Sequence, residues 1–98
     1  MHLPVQFRPN ISAEAKKIAA DYDLQQPGLG NDFYTELLET VDRLEHHPYL
    51  YGVVWRQVRA APVHRFPYIA YYEVMSDHVI IYTVVHERRS ARVWQRRI

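Results

Sequence analysis

Residues 65–86 read RFPYIAYYEVMSDHVIIYTVVH, and this stretch decides the fold. Two runs rich in aromatic and β-branched residues, 65–74 and 79–86, flank a turn at 75–78 that contains serine and aspartate. Aromatic and β-branched residues favour strands, whereas Ser and Asp favour turns, so we predict an antiparallel hairpin. Pro67 cannot donate to a sheet, which indicates an edge position, a bulge, or a strand that begins at Tyr68.

Strand signals continue towards the N-terminus. The segment 53–59, VVWRQVR, predicts a strand that joins the hairpin in a three-stranded antiparallel meander. Near the start of the chain, the segment 3–7 alternates apolar and other residues. This alternation predicts a short strand, and Pro4 favours an edge position for it.

A helix is predicted after the first strand. Ser12 can cap its N-terminus, and Glu14 is favourably placed in the first turn. The helix is expected to end near Gln25, because proline and glycine follow. Its apolar residues form one helical stripe: Ile11, Ala15, Ile18, Ala19 and Tyr22.

A second helix follows the connector 28–30, which reads as a tight turn. Asn31 or Asp32 can cap this helix, and Pro48 closes it. Two helices with so short a connection are expected to pack as an antiparallel hairpin. The apolar stripe of the second helix contains Phe33, Leu37, Val41 and Leu44.

The element order β-α-α-β-β-β predicts an α+β fold in a single domain, 1–98. We expect an antiparallel sheet with the helical hairpin packed on one face. The other face would hold Arg56 and either Tyr71 or Tyr72, and an antiparallel sheet can leave such a face wet. We therefore expect the functional surface there.

Length and composition fit one small globular domain. The chain has 98 residues and a mass of 11.7 kDa. It contains no cysteine, which favours a reducing cytoplasm over secretion. The first residues do not resemble a signal peptide, and the longest strongly apolar run, 79–85, is far shorter than a membrane span.

Charge is distributed unevenly along the chain. Residues 1–49 carry four basic and eight acidic groups, whereas 50–98 carry eight arginines and three acidic groups. The second half is therefore either a surface for an anionic partner or a solvated basic face. Arginine suits bidentate binding of carboxylate or phosphate.

Common catalytic motifs are absent from the sequence. There is no phosphate-binding glycine loop, no cysteine and no Gly-x-Ser-x-Gly motif. His46 and His47 are adjacent and point about 100° apart on a helix, and we identify no H-x-x-x-H or acid–histidine spacing typical of zinc sites, so we expect no metal site. His86 ends an apolar strand beside Arg88 and Arg89, where its neutral form could act as a base or simply bond a strand end.

The arginines of the second half surround strand ends and the C-terminal segment. Trp94 lies among them and can either stack on a partner or cover the edge of the core. The arginines in question are Arg59, Arg65, Arg88, Arg89, Arg92, Arg96 and Arg97.

The segment 64–74, HRFPYIAYYEV, resembles the RelE/ParE toxin superfamily of type II toxin–antitoxin systems, and more narrowly its ParE-like branch. The resemblance extends to the apolar strand that ends in His86-Glu87-Arg88-Arg89, and to Trp94 with the arginines after it. The connector 27–30 and the element order also match, so it covers essentially the whole chain.

The resemblance implies a cytoplasmic toxin that inhibits DNA gyrase without cofactor or membrane. A small acidic antitoxin would fold over the toxin in a hetero-oligomer and neutralise it. The implied residues for binding target or antitoxin are Arg59, Arg65, Tyr71, Arg88, Arg89, Arg92, Trp94, Arg96 and Arg97.

Two alternatives remain open. A RelE-like toxin would cleave mRNA on the ribosome without a metal, with His86, Arg65 and Arg89 as catalytic residues. The catalytic lysines of that branch have no counterpart, since Lys16 and Lys17 lie on the first helix, and its terminal tyrosine is missing. The other alternative is a non-toxic module whose exposed sheet binds a peptide.

Overall fold

The computed structural model describes residues 1–98 as five strands and three helices. None of the helices combines the length and apolar character that crossing a membrane requires. In chain order the elements are β1 (Val5–Phe7), α1 (Asn10–Gln25), α2 (Leu29–His46), β2 (Val53–Trp55), β3 (Val58–Val63), β4 (Tyr68–Val74), β5 (Val79–His86) and α3 (Ala91–Gln95).

The strands form one sheet in the order β1-β5-β4-β3-β2. Strands β2 to β5 form the predicted antiparallel meander, and the α+β class is confirmed. β1, however, pairs with β5 in parallel, so the sheet is mixed and not wholly antiparallel. The helical hairpin between β1 and β2 carries the chain across the sheet, and this long connection makes a parallel edge strand possible.

The predicted strand 53–59 is divided into two. Arg56 adopts a left-handed backbone with φ of 54° between β2 and β3, and β3 then continues to Val63. The strand predicted from residue 65 begins at Tyr68, one of the three possibilities that Pro67 left open. Arg65, with φ of 71°, lies in the turn before β4 and not on a strand.

Both helices of the hairpin begin earlier than predicted. α1 starts at Asn10, so Ser12 is not its cap. α2 starts at Leu29, because Gly28 at its N-cap takes a φ of 92° that turns the chain sharply between the helices. Gly30 lies where a Cβ would meet the Ala19 carbonyl oxygen, so the absence of a side chain lets the two helices approach.

The main core lies between the helical hairpin and one face of the sheet. Its fully buried side chains come from α2 and from the central strands. Its fourteen members are Ile11, Ala15, Ile18, Ala19, Phe33, Leu37, Leu44, Ala61, Val63, Ala70, Tyr72, Val79, Ile81 and Val84.

The other sheet face is not wet, which corrects the sequence-based expectation. α3 covers it and inserts Trp94 into a second cluster with Val58, Tyr71, Tyr82 and Val85. Of the two tyrosines considered, Tyr71 is the one on this face, and it is only 6% exposed. A short amphipathic helix after β5 was not apparent from the sequence, because five residues give too little periodicity to detect.

Candidate functional site

The C-terminal segment, residues 87–98, is held against the domain by an aromatic stack. The Trp94 indole lies parallel to the Tyr71 ring, with centroids 4.1 Å apart and an interplanar angle of 13°. The Trp55 ring meets the same indole edge-on at 5.8 Å. Tyr71 and Trp94 therefore position the segment, and they offer little surface to a partner in this conformation.

Arg97 attaches the end of this segment to α1. Its Nη1 lies 3.2 Å from a carboxylate oxygen of Glu14 and 3.3 Å from the Thr83 hydroxyl. The same carboxylate accepts hydrogen bonds from the Thr83 hydroxyl and from the Val84 N–H at 2.9 Å. Of the arginines in the C-terminal segment, Arg97 is thus the one committed to an ion pair inside the chain.

Four further arginines of the segment remain exposed. Their guanidinium groups take part in none of the ion pairs or side-chain hydrogen bonds of the chain. They are Arg88, Arg89, Arg92 and Arg96. The stack fixes α3, which carries Arg92 and lies between the other three in the sequence. The four arginines therefore form a cationic surface with a fixed position, which we call the arginine surface.

The two remaining predicted arginines lie elsewhere. Arg65 approaches Asp32 and Glu36 of α2, each at 3.6 Å, from its turn before β4. Arg59, on β3, donates to the carbonyl oxygen of Tyr51 at 2.7 Å. Both are partly satisfied within the chain, and neither belongs to the arginine surface.

Two adjoining clefts open between α1 and the ends of β4 and β5. Their volumes are about 520 and 330 Å³, and they share Ile18, Asp21, Tyr68 and His86. We call the pair the α1–β5 cleft. The larger part is lined further by Tyr22, Gln25, Leu29, Arg65, Phe66 and Pro67, and the smaller by Glu14, Lys17, Val84, Val85, Arg89 and Arg97.

Aromatic rings form the floor of the larger part. The Tyr22 and Phe66 rings meet edge-on at 4.9 Å, and the Tyr22 and Tyr68 rings at 6.1 Å. Burial raises the pKa of Tyr22 and of Tyr68, with Asp21 adding to the effect on the pKa of Tyr68. Both phenols are therefore neutral at physiological pH and can donate hydrogen bonds into the cleft.

On the edge opposite β4, the last residues of β5 have no strand neighbour. β1 pairs only with 79–81, so the edge beyond Ile81 is open to other groups. Asn10 donates to the Tyr82 carbonyl oxygen at 3.1 Å, and Glu14 accepts from the Val84 N–H. The edge at His86 borders the α1–β5 cleft and carries no such side-chain cover.

His86 lines both parts of the cleft, and each part also contains one arginine of the predicted catalytic set. It shares the larger part with Arg65 and the smaller with Arg89. Its Nδ1 accepts a hydrogen bond from the backbone N–H of Arg88 at 3.0 Å. In the neutral ring with this bond the proton sits on Nε2, so Nε2 can donate a hydrogen bond but cannot accept a proton.

The chain matches a known protein family. A family model described as "ParE toxin of type II toxin-antitoxin system, parDE" matches residues 5–91. The chain belongs to the ParE toxin family. A comparison with curated proteins found no match.

A solved structure supports the fold of this ParE-family chain. It is described as "Chromosomal ParDE TA system from P. aeruginosa", and one of its chains matches with a TM-score of 0.76 and 17% sequence identity. The match covers 87% of this chain and 96% of that chain. At this identity the likeness establishes the shared fold.

Sequence reasoning overlooked part of the cleft in this ParE-family chain. Tyr22 was assigned to the helical core stripe, and it does pack on the core, but its ring also lines the cleft. Lys17 and Asp21 lie outside that stripe, and both line the smaller part. The spacing of apolar residues gave no signal for them. It identifies the buried face of a helix, but it does not show which residues beside that face border a cleft.

Proposed function

We propose that this chain is a toxin that inhibits DNA gyrase in the cytoplasm and is neutralised by a cognate acidic antitoxin. The observation that carries the proposal is the arginine surface: four exposed guanidinium groups without partners, next to a helix fixed by the Trp94 stack. Unpaired arginines on a rigid support lose little conformational entropy when they bind, and their positive charge attracts an anionic surface. Family membership supports the toxin assignment.

The antitoxin is proposed to occupy the α1–β5 cleft. The cleft combines an aromatic floor with the cation of Arg89, which takes part in no ion pair of the chain. An acidic segment with apolar anchors would match both features, and its backbone could pair with the open edge at His86. Arg89 belongs to both the cleft and the arginine surface, so a bound antitoxin would also cover part of the toxic surface.

The mRNA endonuclease alternative is less well supported by the same geometry. Its proposed base, His86, uses Nδ1 as an acceptor for the Arg88 N–H. Its proposed phosphate-binding residue, Arg65, is turned towards two carboxylates of α2. Both lysines lie on α1, and Lys17, which lines the cleft, is paired with Asp21 on the same helix.

The decisive experiment measures supercoiling by purified gyrase with increasing amounts of the purified chain. We expect inhibition, and at least about a tenfold loss of it when Arg88, Arg89 and Arg92 are replaced together by glutamine. The matched control is Arg56→Gln, an exposed arginine that is not one of the four and whose guanidinium lies over the Trp55 ring at 4.1 Å. Unchanged supercoiling at toxin excess would rule out gyrase as the target.

The alternatives predict different outcomes when the chain is expressed alone in cells. New 5′ ends on translated mRNA, lost in His86→Ala and Arg89→Ala, would indicate ribosome-dependent cleavage. Absence of any growth defect, with tight binding of an acidic neighbour protein, would indicate a non-toxic binding module. For the cleft, Phe66→Ala is expected to weaken antitoxin binding about tenfold or more, whereas Leu38→Ala, at an exposed position on α2, is not.

A further inference from the structure

Two histidines and two carboxylates meet at the C-terminal end of α2, on neither the cleft nor the arginine surface. Ligand atoms of Asp42, Glu45 and His46 all lie within 4.8 Å of one another. His2, from the N-terminal segment, brings its Nε2 to 3.3 Å from a carboxylate oxygen of Glu45. The His2 and His46 rings meet edge-on with centroids 5.2 Å apart.

The backbone holds these groups in place. The Leu3 N–H donates to the Glu45 carbonyl oxygen at 2.9 Å, and this bond fixes the N-terminal segment beside the end of α2. His46 Nδ1 lies 2.9 Å from the Asp42 carbonyl oxygen. A ring N–H donated to a backbone carbonyl leaves the other nitrogen free, which is the arrangement that orients metal-binding histidines.

We propose that His2, Asp42, Glu45 and His46 bind one divalent transition-metal ion, with Zn²⁺ as the preferred metal. Two imidazoles and two carboxylates supply the nitrogen and oxygen donors that Zn²⁺ takes in four-coordinate sites. The negative end of the α2 dipole adds to the attraction for a cation. The adjacent helix surface carries Glu39 and Arg43, so negative groups still outnumber positive ones there.

This proposal departs from the expectation of no metal site, which rested on the adjacent His46 and His47 and on the lack of a recognised zinc-ligand spacing. His47 follows the last residue of α2 and is not a member of the cluster formed by Asp42, Glu45 and His46. The spacing that matters is Asp42 to His46, one helical turn apart, together with Glu45. His2 lies 44 positions away in the sequence and reaches the cluster only because the N-terminal segment bonds to the end of α2.

Titration calorimetry with ZnCl₂ on the untagged full chain tests the proposal. We expect one Zn²⁺ per chain with a dissociation constant below about 100 μM, and Co²⁺ in the same site should give a four-coordinate absorption spectrum. His46→Gln and His2→Gln should each weaken binding about tenfold or more. His47→Gln, the matched control, replaces an exposed histidine that is outside the cluster and should bind as the parent does.

Binding should also raise the melting temperature. At a Zn²⁺ concentration about ten times the dissociation constant, the parent and His47→Gln should melt about 5 °C higher or more than without metal. His46→Gln should show no such rise. Failure to bind below about 100 μM, or equal binding by parent, His2→Gln and His46→Gln, would mean that the cluster is a set of solvated ion pairs only.

Discussion

Replacement of Glu14 by alanine should destabilise the domain far more than an ordinary surface substitution on a helix. The Glu14 carboxylate accepts from the Val84 N–H and the Thr83 hydroxyl and pairs with Arg97, and its side chain is only 17% exposed. It closes the edge of β5 beyond the point where β1 ends. Without it, the edge N–H and the guanidinium lose an acceptor that only water can replace.

The expected loss of stability follows from the contacts of the Glu14 carboxylate. Hydrogen bonds to a charged group are worth about 1.5–3 kcal/mol each, but partial exposure allows water to recover some of this. We therefore expect Glu14→Ala to lower the free energy of unfolding by about 3 kcal/mol. Glu14→Gln keeps an acceptor for the Val84 N–H and loses mainly the pair with Arg97, whose side chain is 42% exposed, so about 1 kcal/mol is expected.

Urea denaturation of the purified chain, followed by circular dichroism, measures both values. Glu39→Ala is the control, because Glu39 is an exposed acid on α2 that makes no ion pair or side-chain hydrogen bond, and its loss should cost under about 0.5 kcal/mol. A Glu14→Ala loss below about 1 kcal/mol, or equal losses for the alanine and glutamine variants, would refute the edge-capping role.

Three further substitutions test the packing. Gly30→Ala should cost about 2–3 kcal/mol in urea denaturation, because its Cβ meets the backbone oxygen of Ala19; a loss under about 1 kcal/mol would show that the helices can move apart. Trp94→Ala should cost about 3–5 kcal/mol and speed amide exchange in the C-terminal segment, and unchanged exchange there would contradict the role of the Tyr71 stack. Burial raises the pKa of Tyr72 to about 12, whereas the unfolded phenol ionises near 10. Stability should therefore be full below pH 10 and fall as the pH rises towards 12, with a smaller fall for Tyr72→Phe in a pH series of denaturation midpoints; equal slopes would disprove this.

The sequence predicted those parts of the fold that local patterns encode. The meander follows from β-rich runs separated by a Ser-Asp turn, and both helices follow from their apolar stripes. The direction of β1 was missed, because its neighbour β5 is distant in the sequence and no local signal specifies a parallel pairing. The division of the strand 53–59 was missed as well, since a left-handed Arg56 leaves no mark in a pattern of β-branched residues.

The candidate site was predicted unevenly, for a similar reason. The cluster of arginines after β5 is visible in the sequence, but which of them stay free depends on acids supplied by other elements. Arg65 meets acids of α2, and Arg97 meets Glu14 of α1, whereas Arg92 meets none. A count of charges along the chain cannot distinguish these cases, because it does not contain the distances between elements.

The covered second face changes how the basic C-terminal segment is understood. A charged tail after the last strand would ordinarily be mobile, and its arginines would lose considerable conformational entropy when they bound a target. Here Trp94 anchors the segment to the sheet and Arg97 anchors it to α1, one contact apolar and the other ionic. The exposed arginines on either side of Trp94 are therefore ordered before any partner arrives. Cutting either anchor while leaving the four free arginines intact should therefore weaken target binding through lost order and not through lost charge.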